Sequence, residues 1–197
     1  WLYDMGWLDE GTILAHCVQM RDGDIELLAK SGASVVTNPA SNAKLGNGFA
    51  PVVDMQNSGV NVCLGTDGTS SNNTLNMFRE MGLLSLIHKG IHKDPTAMPA
   101  QSVIAAATVN GAKALSMKDR LGVVKEGAQA DLIFIDLKSP SLFPNNNIIS
   151  SLCYSANGSE VDSVMIEGKF VMKNRELLTI DYDRVCFEVN RIAEKYL

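Results

Sequence analysis

The stretch "TILAHCVQMRDGDIELLAKSGASVVTN", residues 12–38, decides the fold. It opens on an apolar run rich in β-branched residues, TILAHCV (12–18), and closes on a second, ASVVTN (33–38). Between them, Ile25, Leu28 and Ala29 share a helical face, with Asp24 as a candidate cap and Gly32 as a candidate stop. A third run, VNVCLGTD (60–67), follows a shorter helix candidate, FAPVVDMQNSG, that ends at Gly59. Strand, helix, strand, helix, strand predicts a parallel sheet covered on both faces.

Downstream, NNTLNMFREMGLLSLIHKG (72–90) pairs a cap-like Asn72–Asn73 with Leu75, Phe78, Leu83, Leu86 and Ile87 near helical spacing, and PAQSVIAAATVNGAKAL (99–115) reads as one further helix. From Leu121 the period changes. GVVKEGAQADLIFIDL and VDSVMIEGKFVMKNREL read as strands, the second as a hairpin turning at Gly168–Lys169. NIISSLCYSA reads as a helix between them, and DYDRVCFEVNRIAEKYL as a terminal helix capped by Asp181 or Asp183.

Composition excludes several classes. With 197 residues, 46% hydrophobic and 20% charged, the chain can bury a sizeable core. A net charge of -5 and no basic stripe argue against nucleic acid as a partner. No apolar run approaches the roughly 20 residues that span a bilayer, so no membrane partner is expected. Cys17, Cys63, Cys153 and Cys186 form no CxxC pair, and three lie in apolar segments. They read as small hydrophobes in a reducing compartment, most simply the cytoplasm.

In parallel α/β folds, chemistry sits where strands end and turn toward helices. That rule selects His16 and Cys17, the segment from Asn38 to Gly48, and the segment from Asp67 to Asn73. Asp67 can be a turn aspartate, since Asp-Gly is a common turn dipeptide, or a metal ligand or general base. His16 can be a hydrogen-bonded core residue or a catalyst. His88 and His92 are four apart but the string is HKGIH, without the Glu of a zinc-binding HExxH helix, and both are expected on the surface. NPASNAKLGNG lacks P-loop spacing, so Lys44 reads as a loop residue.

Taken in order, HCVQMRDGDIELLAKSGASVVTNPASNAKLGNGFAPV, GVNVCLGTDGTSSNNTLNMFREM, GVVKEGAQADLIFIDL and YSANGSEVDSVMIEGKFVMKNRELLTID resemble the amidohydrolase superfamily. Within it they are most similar to the 5'-methylthioadenosine/S-adenosylhomocysteine deaminases and their chlorohydrolase and guanine deaminase relatives. The resemblance implies a metal-dependent deaminase on a (β/α)8 TIM barrel with a small β-sandwich beside it. His16 matches the histidine ending the sixth barrel strand, which orients substrate and the attacking water. Asp67 matches the aspartate ending the eighth, which binds the metal and shuttles a proton. Ser71 matches a serine near the bound nucleoside. The implied cofactor is one divalent metal, zinc first and iron as the alternative. The implied substrate is a purine nucleoside, with guanine or a chlorinated triazine as alternatives.

The same resemblance defines departures. The family's HxH on the first strand, the His on the fifth and the Glu that protonates the purine ring have no counterpart here, and Thr37 stands where many relatives carry a His before Asn-Pro. Asp67 is then the one matched metal ligand, so no metal is expected in the isolated chain. A complete barrel takes about 250 residues, and the chain begins at Trp1 rather than an initiator Met. The expectation is the C-terminal part of a longer enzyme, inactive alone: residues 1–120 a partial barrel of about three βα units (strands six to eight), 121–180 part of the sandwich, and 181–197 a C-terminal helix. Open sheet edges would favour self-association. The alternative is a free-standing, metal-free half-barrel with a binding or assembly role.

Overall fold

The structure is a computed structural model that describes residues 1–196. Leu197, the last residue of the expected terminal helix, lies outside the described residues.

The three apolar runs form a parallel sheet in the order β1 (Ile13–Ala15), β2 (Ser34–Thr37), β3 (Asn61–Leu64). The central strand pairs on both sides, Ala15 with Val36 and Thr37 with Leu64. Parallel neighbours need a crossover. Helix α1 (Asp24–Ser31) supplies the first, while α2 (Pro39–Lys44) and α3 (Val52–Asn57) supply the second. Gly32 ends α1 in the left-handed region as expected, whereas Asp24 lies in the first turn, where its carboxylate accepts the Arg21 N–H. A short turn of helix, α4 (Thr69–Asn72), leads from β3 to the long α5 (Met77–His92). The cap of α5 is Asn76, which accepts the Arg79 N–H, in place of the Asn72–Asn73 pair.

The single helix expected over 99–115 is broken at Thr108 into α6 (Ala100–Ala107) and α7 (Val109–Ala114). The break has a use: Asn110 donates from its side chain to the Val62 carbonyl at 2.8 Å, and its own carbonyl accepts from Asn61. One edge carbonyl of β3 is thereby satisfied without a further strand. The core lies between sheet and helices, with Val35, Val52, Met55, Val62, Leu84 and Val103 at its centre.

Beyond α7 the chain forms an antiparallel sheet in the order β4 (Leu132–Ile135), β5 (Val161–Ile166), β6 (Lys169–Lys173), β7 (Glu176–Leu177). The hairpin turns at Glu167–Gly168, one residue earlier than expected. Helix α8 (Ile148–Tyr154) joins β4 to β5 and packs Cys153 into the core. Helix α9 (Tyr182–Ala193) is capped by Asp181, which accepts the Arg184 N–H. None of the helices is long and apolar enough to cross a membrane, among the described residues.

His88 overturns its expected surface position. It sits on the inner face of α5, 3% exposed, and its Nδ1 is buried without a hydrogen-bond partner. Burial, reinforced by the neighbouring His92, lowers its pKa from 6.5 to about 4, against a smaller opposing pull from Asp54. A folded pKa below the unfolded one means the unfolded chain binds more protons between those values, so stability falls as pH falls through that window. We predict that the wild type loses about 1–2 kcal/mol more stability between pH 7 and pH 5 than His88→Leu does. Urea midpoints at the two pH values check this; parallel losses in both proteins would show that His88 is not the linked group.

Candidate active site

Strand ends, not strands, carry the polar chemistry. The His16 N–H donates to the Val36 carbonyl at 2.8 Å, and the Gly65 N–H to the Thr37 carbonyl at 3.0 Å, so β1, β2 and β3 finish level with one another. Past that line the backbone turns sharply: His16, Cys17 and Asp67 have φ of 66, 47 and 59 degrees. Such left-handed conformations at non-glycine residues cost of order 1 kcal/mol or more and gather at functional sites. Gly65 matters for a different reason. A Cβ there would lie 2.7 Å from Asn38 Oδ1 and 2.8 Å from Val36 Cγ1, so only glycine lets the Asn38 side chain stand beside β3.

The turns bring His16, Asp67 and Ser71 together, as their positions in the sequence suggested. His16 Nε2 lies 3.8 Å from Asp67 Oδ2, too long for a direct hydrogen bond. The Ser71 hydroxyl donates to the same oxygen at 2.8 Å. Two residues of the segment 38–48 that the sequence selected without singling them out complete the arrangement. Ser41 donates to Asp67 Oδ2 at 2.6 Å, and Asn42 Oδ1 faces His16 Nδ1 at 2.8 Å. Both lie on α2 and both are 0% exposed. The same Nδ1 also has Asn38 Nδ2 at 3.4 Å, so the ring is held between two buried amide side chains, with the Asn42 oxygen the nearer partner. The available signal was a polar string, PASNAK, where an apolar face would be expected.

Three donors converge on Asp67: Ser41, Ser71 and the Gly68 N–H, the last on Oδ1 at 2.8 Å. Each stabilises the charged form, Ser41 most, and they hold the carboxyl well below its ordinary 3.8, at about 2. His88 and His92 lie on α5, and Lys44, expected in a loop, is the last residue of α2. Lys44 ties α2 to α4 on the surface, donating to the Ser70 carbonyl at 3.0 Å.

The donor set fits a metal only in part. Asp67 offers a carboxylate and His16 an imidazole, but no group of three or more His, Cys, Asp and Glu side chains is assembled among the described residues. Zinc takes three or more protein ligands. These residues therefore suffice for part of such a site and not for the whole of one.

A parallel α/β sheet whose carboxyl ends gather a carboxylate, an imidazole and hydroxyls defines a class of protein with its chemistry at the strand ends. Residues 1–171 match the amidohydrolase family. The chain belongs to that family. It is 50% identical over 192 residues to a 5-methylthioadenosine/S-adenosylhomocysteine deaminase of Acetivibrio thermocellus, covering 98% of this chain and 44% of that protein. It is 45% identical over 194 residues to a 5'-deoxyadenosine deaminase of Methanosarcina mazei, again covering 98% and 44%. Among solved structures, an adenosine deaminase from Xanthomonas campestris with bound zinc superposes with a TM-score of 0.95 at 36% identity, over 98% of this chain and 44% of that one. An atrazine chlorohydrolase from Arthrobacter aurescens complexed with zinc, at 23% identity and TM-score 0.89 over 96% and 42%, shares the fold. The chain thus spans about 44% of the length of the curated relatives it matches.

The hydroxyl pair makes a direct prediction. Ser41→Ala removes the strongest donor to Asp67 and should raise that carboxyl's pKa from about 2 toward 3.8. Because the folded value is depressed, the stability Asp67 contributes is present above its unfolded pKa and lost as pH falls toward the folded one. The variant should show less of that acid-side loss. Carboxyl-carbon NMR titration measures the shift directly; an unchanged Asp67 titration in Ser41→Ala would assign the low pKa to other groups.

Proposed function

We propose that this chain forms one side of the active site of an amidohydrolase that hydrolytically deaminates a purine nucleoside, of the methylthioadenosine/S-adenosylhomocysteine type. The observation that carries the reading is the convergence of Asp67, His16 and Ser71 at level strand ends, in a chain 45–50% identical to deaminases of that name. In this reading residues 1–120 are three βα units of a (β/α)8 barrel, 121–180 part of a β-sandwich and 181–197 a C-terminal helix.

The division of labour follows from the atoms. Asp67 is the carboxylate that contributes a metal ligand and accepts a proton from the attacking water. His16 is not a ligand. Its Nε2 lone pair accepts a hydrogen bond from that water and aligns it with the ring carbon, while Asn42 holds the ring at Nδ1. Ser71, half-buried on the rim, meets the nucleoside. A divalent metal, zinc first and iron second, would lower the pKa of a bound water toward neutrality. The ligands available in this stretch are too few to retain it, so the remainder of the ligand set belongs to residues outside it. Alone, the chain is expected to bind no metal stoichiometrically and to be inactive.

In the whole protein, Asp67→Asn is expected to lower kcat by about a factor of 10² or more and to weaken metal retention. His16→Asn should lower kcat with the metal retained. Ser71→Ala, which leaves Ser41 on the same oxygen, should change KM more than kcat. Metal analysis and steady-state kinetics with a nucleoside panel test all three, and near-normal turnover by Asp67→Asn would return Asp67 to the role of a turn residue.

A further inference from the structure

We propose that Glu80, on α5, is the positioning residue that sets the two halves of this site against each other. The site is built on two short pieces of helix. One, α2, carries Ser41 and Asn42; the other, α4, follows Asp67 and carries Ser71. Neither is long enough to hold its own position, since isolated helices of this length are not stable. Behind both stands a single carboxylate.

Glu80 is 0% exposed. Its Oε2 accepts the Ala40 N–H at 3.0 Å, in the first turn of α2. Its Oε1 accepts Nδ2 of Asn72, the last residue of α4, at 2.8 Å. Asn72 passes the constraint on: the same Nδ2 donates to the Thr66 carbonyl at 2.6 Å, one residue before Asp67, and the Asn72 N–H donates to Gly68 at 3.0 Å. Arg79 closes the network by donating to Asn72 Oδ1 at 3.1 Å. On the other arm, Ala40 precedes Ser41 and Asn42, the residues that grip Asp67 and His16.

Burying a carboxylate is costly unless its oxygens are satisfied, and no Lys or Arg forms an ion pair with Glu80 among the described residues. What a carboxylate offers here is two acceptor oxygens on one rigid group. Glutamine, its isostere, has one acceptor and would turn an NH2 toward either the Ala40 N–H or Asn72 Nδ2. Aspartate is a methylene short. The side chain touches neither Asp67 nor His16, so its effect on chemistry runs through α2 and α4.

The kinetic part of this inference rests on the deaminase reading; the structural part does not, and the test separates them. Amide NMR spectra of the 197-residue chain are compared with those of Glu80→Gln and Asn72→Ala. Glu80→Gln is expected to move signals on both arms that lie away from residue 80: Asp67 and Gly68 on one, the Asn42 side-chain amide on the other. Asn72→Ala is expected to move Asp67 and Gly68 while leaving Ala40 and Ser41 in place. If Glu80→Gln does not fold, Glu80→Asp, a methylene short, takes its place with the same expectation for both arms. Loss of stability without movement at Asp67 and Gly68, or equal movement of both arms in Asn72→Ala, overturns the clamp. In the whole protein, Glu80→Gln should lower kcat about ten- to a hundredfold with a smaller change in KM. A wild type that deaminates no purine nucleoside rejects the functional reading and leaves the spectra to judge the clamp. A wild type that turns over, with kcat unchanged in Glu80→Gln, rejects the clamp.

Discussion

The carbonyls of Val36 and Thr37, on the central strand, accept the N–H groups of His16 and Gly65 from the strands on either side. Those two hydrogen bonds are the last rungs of the parallel sheet. They fix where β1 and β3 stop pairing, and so where the backbone is free to turn. Had β2 or β3 slipped by one residue, its side chains would exchange faces, and Val35 or Val62 would leave the core that they share with the helices. The apolar packing of Val35 and Val62, both fully buried, therefore enforces the register that brings His16 and Asp67 within reach of each other.

At this end of the sheet the interior is polar. Asn38, Ser41, Asn42, Asn72 and Glu80 are all buried. Apolar side chains of the same shape would often be more stabilising, because each buried polar group must recover the hydrogen bonds it gave up to water. The chain recovers them almost entirely within the cluster. Asn42 Nδ2 is the exception, buried with no partner. The polar cluster is thus a departure from what folding alone would favour, and such departures concentrate where function constrains the sequence.

How much of this was legible in the sequence depends on the length of each element. The β-branched runs at 12–18, 33–38 and 60–67 contain β1, β2 and β3, because a buried parallel strand announces itself by composition. Helices α2 and α4 left no such trace. They are short and polar, and each is tied by a hydrogen bond to the buried Glu80. Reading α5 by its apolar residues misplaced its inner face: Leu86 is exposed, while Glu80, Ser85 and His88 are buried. Periodicity assumes that the apolar side chains are the buried ones, and that assumption fails where a helix braces a polar site. Among the site residues, His16 and Asp67 were visible as polar residues at strand ends, and Ser71 came from the resemblance to the family. Ser41 and Asn42 were not singled out, since what they do depends on contacts across 26 residues of chain.

Under the proposed function, Asp67 brings two demands on this site into conflict. The three donors on its carboxylate orient it well, and the same donors hold its pKa at about 2. A general base works best with a pKa near the working pH, so orientation is gained at the expense of basicity. The donors are not equivalent. The Gly68 N–H is part of the backbone and cannot leave without refolding the turn, whereas Ser41 and Ser71 are hydroxyls that can rotate to other acceptors. Ser71 already has one, the Gly68 carbonyl at 3.1 Å. Under the proposed function, a hydroxyl that turned away from Oδ2 would raise the basicity of the oxygen nearest His16, at the moment a proton has to be taken. Losing both serine hydroxyls would return the carboxyl at most toward its ordinary 3.8, so their rotation adjusts the basicity of Asp67 only within that range, while the Gly68 N–H keeps its place in the turn.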